Sequence, residues 1–268
     1  MAIVYACIAP HGGHLLLEEN APGPLLRCRR AMRAMRHSLA AACPDSIVVL
    51  TPHGIGVEGT VTLGLTPTGY GELDDLKIEV ATDLPLAAVW SEEASSRGIP
   101  MTPLVAQHPG GALPLDWGVT IPLALLTESA TPRPVVVACP ARDVSREHLV
   151  ALGETLADAA RGLGRRIALI VSADQGHGHA ADGPYGFTPL SADYDGAMQA
   201  VIEADDLPRL LAWPEDYAES ALADSYWQTL SLIGVQKRVP LRSRLLAYEI
   251  DHYFGLLCAE FTSTSPDE

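Results

Sequence analysis

The sequence predicts an α/β fold: one domain with a central mixed sheet flanked by helices. Short apolar runs rich in β-formers alternate with longer stretches of helical periodicity, and the runs end at turns containing Gly or Pro. The length of 268 residues is ample for one large core, and no repeat, low-complexity tract or linker divides the chain.

The elements follow in order. Ile3 to Ala9 is a compact strand run closed by Pro10 and Gly12-Gly13. Leu25 to Cys43 has helical period and composition, and its five arginines (Arg27, Arg29, Arg30, Arg33, Arg36) read as a solvated helix face. Ser46 to Leu50 is a buried strand ending at Thr51-Pro52, and Val57 to Leu65 alternates as a third strand. Leu84 to Arg97 reads as a helix and Met101 to Ala106 as a strand, while Gln107 to Pro114 is too rich in Gly and Pro to be anything but a loop. A helix begins near Val119, an interior strand spans Pro134 to Cys139, and Ser145 caps an amphipathic helix running to Leu163. Arg166 to Val171 is a continuous apolar strand, after which the chain turns polar through SADQGHGHAADGPYGF. Short helical pieces fill Leu190 to Gly234. Leu245 to Phe261 starts strand-like and ends as a packing element, giving a domain over 1–262 and a frayed tail over 263–268.

Composition excludes several classes. With 18 Lys+Arg against 33 Asp+Glu, the formal charge of -15 opposes general nucleic-acid binding, which needs a basic stripe. No apolar run approaches the ~18 residues of a membrane span, and the N-terminus lacks the basic n-region of a signal peptide. Five cysteines at 7, 28, 43, 139 and 258 form no CxxC pair, as expected for reduced thiols in a cytoplasm.

The nine histidines are informative by position. His11 follows the first strand, His53 the second, and His177 the Arg166 to Val171 strand, each beside Gly or Pro. In open α/β sheets the crevice at the carboxyl ends of the strands binds ligands, so these three are expected to converge. His14 and His179 lie near enough to contact a substrate, and His179 competes with His177 for any role. Two imidazoles and one carboxylate make the facial triad suited to non-haem Fe(II). The candidate carboxylates are Asp116, Asp174, Glu249 and Asp251, and spacing does not choose among them; a third imidazole from His252 would suit zinc. GxGxxG after the first strand, the P-loop, GxSxG and HExxH are all absent.

Taken in order, Pro10-His11, TPHG around His53, DWGVTIPL, SADQGH, SYWQTL at 225–230 and YEIDHYFG resemble the class III extradiol ring-cleavage dioxygenases of the LigB type, over most of the chain. The resemblance implies that His11, His53 and Glu249 hold Fe(II), with Zn or Mn as alternatives, and that His177 is the acid/base histidine. His177 would take a phenolic proton from a chelated catechol or aminophenol and later return it, with O2 insertion opening the ring to a semialdehyde. His14, His179, Tyr185 and Trp117 would face the substrate. Many relatives carry Asp-His-Gly where this chain has Asp116-Trp117-Gly118, a departure that bears on the substrate more than on the metal. The partners implied are a small aromatic substrate and O2, in a homo-oligomer or with a small partner subunit. The alternatives are a Memo-like metal-binding or signalling protein on the same fold, or a zinc-dependent hydrolase or lyase.

Overall fold

The computed structural model describes residues 2–17, 21–106, 108, 110–127 and 133–263. Its strands are β1 (Ile3–Ala9), β2 (Ser46–Leu50), β3 (Val61–Gly64), β4 (Thr68–Leu73), β5 (Leu76–Ala81), β6 (Met101–Leu104), β7 (Leu113–Pro114), β8 (Val135–Pro140), β9 (Ile167–Ser172), β10 (Leu241–Asp251) and β11 (Phe254–Ser263). Its α-helices are α1 (Leu26–Ala41), α2 (Leu84–Ser96), α3 (Trp117–Leu126), α4 (Arg146–Gly162), α5 (Pro189–Glu203), α6 (Tyr217–Ser220) and α7 (Tyr226–Arg238). No helix among the described residues is long and apolar enough to cross a membrane.

Eight strands form one mixed sheet in the order β10-β11-β1-β9-β2-β8-β3-β6. The inner four, β1, β9, β2 and β8, are mutually parallel, whereas β11 and β3 run antiparallel to their inner neighbours. Ile8, Val171, Leu50 and Ala138 share one rung of this parallel core. The strand sequences are continuously apolar because both faces are covered. In β9, Ile167, Leu169 and Val171 enter the core under α2, α4, α5 and α7, while Ala168 and Ile170 enter the one under α1 and α3. β2 divides the same way, with Val48 and Leu50 on one side and Ile47 and Val49 on the other.

The expected helices and inner strands are present, with some differences. The third strand is confined to Val61–Gly64. The half-exposed segment after it forms a hairpin, β4–β5, whose sheet is completed by β7 inside the expected loop. The C-terminal segment is a long hairpin, β10–β11, rather than a strand and a packing element, and β11 continues through Ser263. Residues 264–268, which include most of the expected frayed tail, lie outside the described residues. Arg29 departs from the solvated-face reading of α1: it is buried, and its guanidinium donates to the Ala21 carbonyl at 2.8 Å.

Helices α4 and α7 pack backbone against backbone. A Cβ on Gly153 would land on the Ser231 carbonyl oxygen, and one on Gly234 would land on the Val150 carbonyl oxygen. Since Asp224 and Ser225 lead directly into α7, this contact sets the height at which that segment meets the strand ends. Gly234→Ala should therefore destabilise the protein by about 1–3 kcal/mol despite the better helix propensity of Ala. Gly196→Ala in α5, where an added Cβ meets nothing within 4 Å, should stabilise it by up to about 1 kcal/mol. Urea denaturation of both variants checks the pair; equal effects would count against the close α4–α7 approach.

Candidate metal centre

Beyond the shared rung, the parallel strands deliver their side chains to one crevice. His11, Asp174 and His53 each stand three residues past Ile8, Val171 and Leu50. Level strand ends followed by equal overhangs bring chain segments far apart in sequence to the same height. His11 Nε2 and His53 Nε2 face each other at 3.0 Å. The third donor is Asp224, whose Oδ2 lies 3.0 Å from His53 Nε2 and 3.5 Å from His11 Nε2. Among the described residues, His11, His53 and Asp224 are the one group of three whose donor atoms converge in this way.

The neighbours of each donor fix its orientation. His11 is buried, its Nδ1 is 2.9 Å from Ser172 Oγ, and its backbone N–H donates to Asp174 Oδ1. Asp224 Oδ1 accepts the backbone N–H of Asp174 at 2.9 Å, which leaves Oδ2 aimed at the two imidazoles. Thr51 Oγ1 receives the His53 N–H and donates to Asp116 Oδ1, so the β2 turn is tied to the start of α3. Trp117 stacks on His53 with ring centroids 4.4 Å apart. Such bonds from second-layer groups set ring orientation at metal sites.

The site fits a divalent cation. Asp224 Oδ2 is fully buried and makes no hydrogen bond, a costly state for a carboxylate oxygen unless a cation meets it. Donors at right angles and about 2.1 Å from a common centre stand about 3.0 Å apart, which matches two of the three edges here. The electrostatics agree. Burial alone would lower the pKa of His11, but Asp174, Asp224 and Asp116 outweigh it and raise it to about 9. Burial opposes ionisation of Asp224 as well, yet its contacts with His11 and His53 hold it well below the usual carboxylate range. Burial, with the nearby Asp224 charge, raises Asp174.

His53 and Asp224 open onto a cavity of about 360 Å³ that is also lined by Arg142, His177, Tyr185, Glu219 and Leu222. His177 Nδ1 lies 2.8 Å from the Gln175 carbonyl oxygen, which can only accept, so Nδ1 carries the proton and Nε2 is left basic. Phe254 stacks on the His177 ring and Tyr185 meets it edge-on. The His177 loop is clamped from below by Asp195. Its Oδ1 accepts the Gly176 N–H at 2.7 Å, and its Oδ2 accepts His179 Nε2 at 2.9 Å and the Tyr248 hydroxyl at 2.6 Å. Leu222, in the left-handed region at φ 54°, closes α6: its N–H donates to the Glu219 carbonyl and that of Ala223 to Ala218. That turn directs the chain to Asp224.

Five expectations are corrected. Glu249 does not join His11 and His53. It projects from β10 toward α1, where its carboxylate accepts the Cys28 N–H at 2.8 Å and faces Arg27, because the β10–β11 hairpin places β10 at the sheet edge, two strands from β1. Asp224 stands in its place; it precedes SYWQTL in a turn that no strand end announces. His179 is turned away from the cavity by its bond to Asp195. His14 is largely exposed and pairs with Asp251 at 2.7 Å, and His252 pairs with Asp182, so neither reaches the cluster. Trp117 flanks His53 without lining the cavity, whereas Tyr185 does line it. Asp224→Asn should weaken divalent-metal binding at least about 100-fold, while Glu249→Gln should leave it intact. Metal content after desalting checks both; the reverse ranking would restore Glu249 as the ligand.

The chain is 21% identical over 228 residues to protein CA_C1420 of Clostridium acetobutylicum, a match covering 82% of this chain and 48% of that protein. The chain thus spans about half the length of that curated relative. Among solved structures, the uncharacterized protein JW3007 from Escherichia coli K12 superposes with a TM-score of 0.66 at 16% identity, over 96% of this chain and 99% of that one, a likeness of fold. Residues 5–249 match the model of the catalytic LigB subunit of aromatic ring-opening dioxygenases, and the chain belongs to that family.

Proposed function

We propose that the protein is a metal-dependent extradiol dioxygenase that opens catechol- or aminophenol-type rings next to the chelating pair. One observation carries this reading. Two imidazoles and a carboxylate converge at the floor of a cavity whose wall presents a third imidazole, outside the cluster, with a basic Nε2. His11, His53 and Asp224 are the residues that would hold the ion, and this donor set suits Fe(II). Bound there, Fe(II) would supply chelation of the substrate's donor pair and activation of O2.

The chain's own residues do the rest. His177 stands across the cavity with Nδ1 fixed on the Gln175 carbonyl, so Nε2 receives the proton of a substrate hydroxyl. The same nitrogen then returns that proton once the ring has been oxygenated. An imidazole suits both transfers because one ring nitrogen can accept a proton and give it back while the other keeps its hydrogen bond. Phe254 and Tyr185 hold the His177 ring, so it takes up the proton without reorienting. The Asp195 clamp keeps the loop at that distance.

Anaerobic loading with Fe(II), followed by oxygen-electrode measurements with a panel of catechols and aminophenols, tests the reading. Stoichiometric O2 uptake and a ring-opened yellow product are expected. Silence across the panel at full iron occupancy would overturn it. His177→Ala should keep the iron and lose about 10²–10⁴-fold in turnover. A fully active His177→Ala would remove His177 from the proton transfers.

A further inference from the structure

One peptide group joins the His177 ring to a buried acid. The Gln175 carbonyl receives His177 Nδ1 at 2.8 Å, and the N–H of that same peptide group, from Gly176, donates to Asp195 Oδ1 at 2.7 Å. The contacts thus run in series: carboxylate, peptide N–H, peptide carbonyl, imidazole. β11 holds this peptide from both flanks, since the Gln175 N–H donates to the Gly255 carbonyl at 2.7 Å and the Gly255 N–H to the Gly176 carbonyl at 3.0 Å. Gly255 also lets the acid approach, because a Cβ there would collide with Asp195 Oδ2. Asp195 and Gln175 are both buried, and Asp195 Oδ2 takes the Tyr248 hydroxyl and His179 Nε2. Donors on both oxygens stabilise the charged carboxylate.

Other groups reach the ring without that path. Asp174 and Asp224 act on it through space, Arg142 and Glu219 line the cavity it faces, and Tyr185, Tyr253 and Phe254 border it. We infer that Asp195 is a positioning residue for the proton transfers, acting on His177 through the Gln175–Gly176 peptide. Hydrogen bonds in a chain polarise one another, and the low dielectric of the interior strengthens each of them. The Asp195 charge draws on the Gly176 N–H and leaves the Gln175 carbonyl oxygen richer in electrons. That oxygen then holds Nδ1–H more firmly as Nε2 takes the substrate proton and the ring becomes cationic. No proton leaves Nδ1, and none reaches Asp195. The inference rests on the proposed role of His177 for its effect on turnover, but not for the relay itself.

Proton NMR of the zinc-loaded protein, a diamagnetic form, reads the relay directly, and the resonance lost in His177→Ala identifies Nδ1–H. Asp195→Asn keeps an acceptor oxygen for Gly176 but removes the charge, so the Nδ1–H resonance should move upfield. Tyr248→Phe takes a neutral donor from the same carboxylate and leaves the charge, so the resonance should stay or move downfield. A plain loop clamp would be disturbed alike by both changes. In the iron-loaded enzyme, Asp195→Asn should lower kcat about tenfold and change KM by less than about twofold. A resonance unmoved in Asp195→Asn, the same displacement in both variants, or an unchanged kcat would overturn the proposal. Should Asp195→Asn not fold, the parent protein decides. Its Gly176 amide and His177 Nδ1–H resonances are expected downfield of ordinary loop amides and carbonyl-bonded imidazoles, and ordinary positions would sink the relay. An upfield move in Asp195→Asn, in a protein that opens no catechol or aminophenol, would retain the relay and remove the dioxygenase reading.

Discussion

In the parallel core, backbone hydrogen bonding holds Ile8, Val171 and Leu50 on one rung, and the positions of His11 and His53 in the crevice depend on that register. Slipping β1 or β2 by one residue would turn His11 or His53 to the opposite face of the sheet and separate the imidazoles. The slip is prevented by burial on both faces, since it would exchange the residues that face the two cores. Thus the packing that stabilises the sheet is also what gives the two Nε2 atoms their 3.0 Å separation.

Charge in the crevice is distributed to the same end. The protein concentrates Asp116, Asp174 and Asp224 around buried His11, a local excess of negative charge in a low-dielectric region. All three carboxylates use Oδ1 to accept a backbone or hydroxyl hydrogen, which fixes their orientation. Asp224 contributes the remaining oxygen with no hydrogen bond of its own. The overall charge of -15 is therefore not evenly spread decoration; part of it is arranged as a cation site.

Much of this was legible in the sequence, and what was not has physical reasons. The parallel strands were readable because burial on both faces makes Ile167–Ser172 and Ser46–Leu50 continuously apolar. His11, His53 and His177 were readable because strand ends mark ligand crevices. The β4–β5 hairpin escaped because its segment, half exposed, alternates weakly and carries glycines. Asp224 escaped because it reaches the site from a helix-leading turn fixed by α4–α7 packing, a tertiary contact that no local pattern encodes. Glu249 misled because the family resemblance pointed to a late glutamate, while the hairpin carries β10 to the edge of the sheet.

Leu222 shows what such a construction demands. A leucine in the left-handed region costs on the order of 1–2 kcal/mol relative to an ordinary backbone geometry, and glycine would relieve it. Glycine, however, would leave the cavity without that wall, since the leucine side chain is part of its lining. The chain therefore keeps a tense corner two residues ahead of Asp224, offset by the buried helices behind it. The last donor is thus delivered under load, like a latch that closes only once the surrounding frame has set. Loosening of that frame anywhere along α7 would be felt first at the carboxylate, before the fold itself gives way.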